Sequence, residues 1–111
     1  MRLRRVLVPL FGSALAALMA ATASAGPPTP LCQRELDTSY ASINDSGNTA
    51  LRAGPAKSDD ACAAYRTYFV NVVRARAVTA QCVSGSERDR QLSKLDIAAE
   101  QANAAIADRC H

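Results

Sequence analysis

The stretch Ser58–Glu87, SDDACAAYRTYFVNVVRARAVTAQCVSGSE, carries two cysteines, Cys62 and Cys82, near the two ends of one uninterrupted helical pattern. Ser58 reads as an N-cap, and Asp59 and Asp60 place negative charge in the first turn, where the helix dipole favours it. Cys62, Tyr65, Phe69, Val72, Val73 and Ala80 then share one face, which predicts a helix over 59–82. Ser84-Gly85-Ser86-Glu87 closes the stretch with a turn that contains a capping box, Ser84 with Glu87 three residues on. Such a helix holds Cys62 and Cys82 about 30 Å apart at 1.5 Å per residue, far beyond the roughly 4.4–6.8 Å that a disulfide allows between Cα atoms. Each of the two must therefore pair outward, with a cysteine on a different segment.

Upstream, Leu36, Tyr40, Ile43, Gly47, Ala50 and Leu51 recur at steps of three or four, with Cys32 on the same stripe, and predict a helix over 31–53. Gly54-Pro55 ends it in the expected order, glycine just past the end and proline next. The turn-like cluster Asn44-Asp45-Ser46-Gly47-Asn48 leaves that helix open to a kink or a break. Downstream, Leu92, Leu95, Ala99, Ala102 and Ile106 predict a third helix over 86–109, with alanines placed to allow close approach. The fold class is all-α: three antiparallel helices, up-down-up, within a domain over 31–111.

Four cysteines permit three pairings. In an antiparallel hairpin, residues that face each other have a constant index sum, so the midpoint of a cross-link falls in the connecting loop. Cys32 with Cys82 has its midpoint in the Gly54–Ser58 connection, and Cys62 with Cys110 in the Ser84–Ser86 turn. The remaining pairing, Cys32 with Cys62 and Cys82 with Cys110, needs the third helix folded in half near Asp96, where no breaker stands. The predicted bridges are therefore Cys32–Cys82 and Cys62–Cys110. One tension accompanies them: Cys82 lies about 200° around an ideal helix from Cys62. Either the second helix frays before Cys82 or it sits between the other two.

The compartment follows from the N-terminus. Arg2, Arg4 and Arg5 precede an apolar run from Val6 to Ala21, and Ala23-Ser24-Ala25 supplies a small-x-small cleavage pattern, so residues 1–25 read as a cleavable signal peptide. The run is broken by Pro9 and Gly12 and is short for a bilayer core of about 30 Å, and no membrane span is expected once the signal is removed. Gly26–Pro30, with three prolines in five residues, reads as an extended start to the mature chain. The whole chain has 13 Lys+Arg against 10 Asp+Glu, and three of the arginines lie in the signal, so the mature chain carries ten of each and no formal net charge. A nucleic-acid or anionic-membrane partner is not expected on that balance. Richness in alanine, with arginine much commoner than lysine, fits a high-GC bacterium, for which an oxidising compartment is the periplasm or the medium.

Reactive groups are few. The patterns C-x-x-C and C-x-x-C-H are missing, and the cysteines are too widely spaced for the locally paired ligands of a structural zinc site. The one histidine, His111, is the last residue given, and Met1 and Met19 both fall in the signal. No metal, cofactor or catalytic constellation is expected. Arg66, Arg74 and Arg76 with Tyr65 and Tyr68 read as a solvated face rather than a phosphate-gripping surface, given the neutral balance. Arg76 is the exception, because it falls within the apolar stripe of the second helix, where an unpaired charge is costly. The index-sum rule places Asp96 opposite it on the third helix, with Asp37 near it on the first, and predicts a partly buried ion pair. The competing reading is a ligand-binding arginine beside the tyrosines. Function then divides two ways: a non-enzymatic interaction module of the cell envelope whose partner is a protein or small ligand, or a small-ligand or metal carrier with a pocket between helices near Arg76. An apolar pocket of a few hundred Å³ favours the carrier, and a solid core with an exposed aromatic patch favours the interaction module.

Overall fold

The computed structural model describes residues 28–55 and 57–110; the signal peptide read over 1–25, the opening of the proline-rich segment and His111 lie outside the described residues. Three helices follow one another, α1 (Pro30–Ala53), α2 (Asp59–Cys82) and α3 (Gly85–Arg109). Cys32, at the start of α1, is bonded to Cys82 at the end of α2, with Cα atoms 5.3 Å apart. Cys62, at the start of α2, is bonded to Cys110 beyond the end of α3, with Cα atoms 5.1 Å apart. Each bridge joins the beginning of one helix to the end of the next, as antiparallel neighbours require.

The helix ends show how local sequence sets the boundaries. Pro30 is the first residue of α1, not the last of an extended segment; proline suits that position because its φ is already helical and the N–H it lacks would have no intrahelical partner. Thr29 caps the end, its Oγ1 accepting from the Cys32 N–H at 3.2 Å. Gly54 ends α1 at φ 69°, a left-handed value that glycine tolerates, and its N–H donates to the Leu51 carbonyl at 3.1 Å. Ser58 caps α2, its Oγ accepting from the Ala61 N–H at 3.1 Å. The capping box expected at Ser84 does not form: the Ser84 side chain makes no cap bond. Glu87 instead accepts from Gln91 Nε2 at 2.8 Å and pairs with Arg90, so its carboxylate is spent along the helix rather than turned back to the Ser84 N–H.

Helix α1 is continuous through Asn44–Asn48. The Ser46 hydroxyl donates to the Ser42 carbonyl at 2.7 Å, and Asn71 Nδ2 on α2 reaches both the Ser46 Oγ, at 3.0 Å, and the Ser42 carbonyl, at 3.3 Å. The Ser46 hydroxyl is thus turned back onto its own helix and bonded from α2, rather than opening a turn.

Helix α2 lies in the middle. It packs on both α1 and α3, while no Cα of α1 comes within 8 Å of a Cα of α3. Because α2 runs to Cys82 without fraying, the 200° separation of its cysteines puts one bridge on each flank, Cys82 toward α1 and Cys62 toward α3. The buried residues of α2 are Ala61, Val72, Ala75 and Thr79, with Tyr65 and Tyr68 half-buried on the same seam. This seam is rotated from the stripe expected from the large apolar side chains: Val73 is exposed. A central helix approached from two sides admits small residues at the points of approach, and the alanines do that here. Leu36, Ser46 and Ala50 are buried on α1, and Leu95 and Ala102 on α3. Leu51 of the expected α1 stripe is exposed. Val72, Ala75 and Leu95 form the core cluster, with Ile43, Tyr68, Ala98 and Ala99 against it.

Candidate functional site

With α1 and α3 held apart by α2, a recess of about 320 Å³ opens among all three helices. Gly47, Ala50 and Leu51 line it from α1, Tyr65 and Tyr68 from α2, and Gln101, Ala102, Ala105 and Arg109 from α3. The lining follows from the packing. Ala50 and Ala102 are buried where the flanking helices approach α2, and Leu51 stands at the rim. At Gly47 a Cβ would stand 3.4 Å from the Tyr68 ring, in ordinary contact, so the ring packs directly against α1 there.

Among the described residues Arg109 supplies the only charge in the lining. Its guanidinium carbon sits 4.5 Å from the centre of the Tyr65 ring, and its Nε donates to the Gly54 carbonyl at 3.2 Å. The side chain is only 15% exposed, and the carboxylate near it, Asp108, has an oxygen 3.7 Å from NH1, beyond a hydrogen bond. The contact with Gly54 ties the end of α3 to the end of α1 across the end of α2.

The third tyrosine lies further along, between α1 and α3. The Tyr40 hydroxyl donates to Gln91 Oε1 at 2.8 Å and shares a hydrogen bond of 3.3 Å with Thr79 Oγ1. It therefore links α1 to both other helices. Tyr40, Glu87, Gln91, Lys94 and Leu95 line a smaller recess there, of about 280 Å³.

The residues singled out from the sequence lie elsewhere. Arg76 Nε and Asp96 Oδ1 meet at 2.5 Å, but the two side chains are 45% and 54% exposed, so the partly buried pair expected from the sequence is a surface pair. The hydrogen bond to Asp96, and then its charge, raises the Arg76 pKa above the ordinary arginine value. The expectation of burial failed because the seam of α2 is rotated toward its small residues, which leaves Arg76 on the α3 flank at the surface. Asp37 is not part of the pair: on α1, across α2 from α3, it accepts from Gln33 Nε2 at 2.9 Å. Arg76 does not line the tyrosine recess. The sequence reading passed over Arg109, although the index-sum rule that pairs Cys62 with Cys110 sets Arg109 beside the first turns of α2, within reach of Tyr65. Among the described residues no group of three or more His, Cys, Asp or Glu side chains could hold a metal ion, and the four cysteines are all paired.

The recess thus presents two aromatic rings, an apolar wall and one stacked guanidinium. The chain matches no known family model, no curated protein and no solved structure. Its two disulfides point to a non-cytoplasmic location, and no described helix is long and apolar enough to cross a membrane.

Proposed function

We propose that the protein is a non-enzymatic binding module of the bacterial cell envelope, in the periplasm or the medium, that receives a small ligand in the recess over Tyr65 and Tyr68. The observation that carries this reading is the recess itself: about 320 Å³, lined mainly by apolar and aromatic groups, with a single charged group at one end. That combination of an apolar wall and few convergent polar groups is typical of small-molecule sites, and the volume falls at the lower end of their range. Two cross-links, each spanning about fifty residues, hold the three helices that form the walls, which favours a preformed site over one that must be ordered on binding. A protein partner is the weaker reading. The exposed residues Leu31, Val70, Val73 and Ile97 are spread over three helices; Val70 and Val73 adjoin on α2, but two valines are far short of the apolar patch that marks a protein interface.

The test is a fragment screen read by amide chemical shifts on the oxidised protein. Hits should move Gly47, Leu51, Tyr65, Tyr68 and Ala105 together. Perturbations scattered over the outer faces of α1 and α3, with none at the two tyrosines, would overturn the assignment.

A further inference from the structure

We infer that the ligand of this recess is a small organic monoanion, an apolar or aromatic body ending in a carboxylate, and that Arg109 receives the carboxylate. The inference rests on the binding reading above and adds the chemical class. Arg109 is a nearly buried cation with one hydrogen bond among the described residues, from Nε to the Gly54 carbonyl. Tyr65 covers one face of its guanidinium. With Nε engaged and one face stacked, the two terminal nitrogens have no hydrogen-bond partner among the described residues, and that planar fork matches a carboxylate in bidentate geometry. The Asp108 oxygen at 3.7 Å does not take that place, because it is too far for a hydrogen bond and its own side chain is 59% exposed.

Charge and size narrow the class. Among the described residues no second cation lines the recess, and Asp108 stands just outside it, so a single negative charge is matched where a doubly charged phosphate is not. A volume of about 320 Å³ takes one compact body against Tyr68, Gly47 and Ala105 rather than a long acyl chain.

The experiment uses the oxidised full-length protein and three probes: 4-phenylbutanoate, its neutral amide and phenyl phosphate. The acid should bind with shifts at Tyr65, Tyr68 and the Arg109 Nε–H, and about tenfold tighter than the amide. Added salt should weaken the acid and leave the amide unchanged. Arg109→Gln should bring the acid down to the level of the amide, and Arg109→Lys should keep part of the preference. If Arg109→Gln fails to fold, the comparison of acid with amide on the unaltered chain still decides. Equal binding of acid and amide in the recess would overturn the carboxylate inference and leave the binding site standing. Tighter binding of phenyl phosphate would overturn the monoanion. No binding of any probe at millimolar concentration would remove both the inference and the site.

Discussion

Arg76 Nε and Asp96 Oδ1 are 2.5 Å apart across the α2–α3 seam, in a pair that water reaches from both sides. A close ion pair at the surface contributes little to folding, because solvent and salt screen it and two long side chains must be held still. Arg76→Leu and Asp96→Ala should therefore each leave the melting temperature close to that of the parent protein. A large loss for Asp96→Ala in thermal denaturation would mean that the pair is shielded after all.

The bridges should matter far more. Cys32–Cys82 closes 50 residues and Cys62–Cys110 closes 48. In the chain-entropy model each contributes up to about 4 kcal/mol. Replacing Cys62 and Cys110 together by alanine should lower stability by about 2–4 kcal/mol, since the thin core of Val72, Ala75 and Leu95 has little to offset it. Urea denaturation measures this. Non-reducing peptide maps should join 32 with 82 and 62 with 110, and a 32–62 link would be incompatible with the fold.

Gly47 offers a gain. It lies inside α1, where glycine is about 1 kcal/mol less favourable than alanine, and an alanine Cβ would just touch Tyr68 at 3.4 Å. Gly47→Ala should raise the melting temperature, while Gly47→Leu should lower it and weaken binding in the recess, because its branches meet the ring. A fall with alanine would show that Tyr68 has no room to move.

Asn71 should be costly to remove. Asn71→Ala takes two hydrogen bonds from the Ser42–Ser46 turn of α1 and is expected to cost about 1–2 kcal/mol. A double-mutant cycle with Ser46→Ala should show coupling; additive losses would mean that the interhelical bond contributes nothing of its own.

Glu87 sets a small acid limb. Its carboxyl is held below the usual glutamate range, chiefly by the Gln91 hydrogen bond; loss of hydration opposes this, and the charge and hydrogen bond of Arg90 and the charge of Lys94 add smaller lowering contributions. A folded-state pKa below the unfolded one adds stability that is present above the unfolded value and lost as pH falls through the folded value. Carboxyl NMR should show Glu87 titrating below a free glutamate, and Gln91→Ala should raise its midpoint. An unchanged midpoint would remove Gln91 as the cause.

Residue order by itself determined the helices, their ends near Gly54-Pro55 and Ser84, and the pairing of the four cysteines. These follow from short-range rules: helical period, capping chemistry and the constant index sum of antiparallel neighbours. The continuity of α1 through Ser46 did not follow from them, since Asn71 on another helix adds hydrogen bonds to the Ser42–Ser46 turn that no local rule foresees.

Only the tertiary structure decided which face of α2 is buried. The sequence placed Phe69, Val73 and Arg76 on the inner face because large apolar groups mark a core when a helix has one neighbour. Here α2 has two, on opposite flanks, and the residues it buries include Ala61, Ala75 and Thr79, whose small side chains let both neighbours come near. That rotation of the seam moved Arg76 to the surface. The tyrosine recess with Arg109 at its end was likewise beyond a reading of single helices, because its walls come from three segments that meet only once both flanks of α2 are occupied.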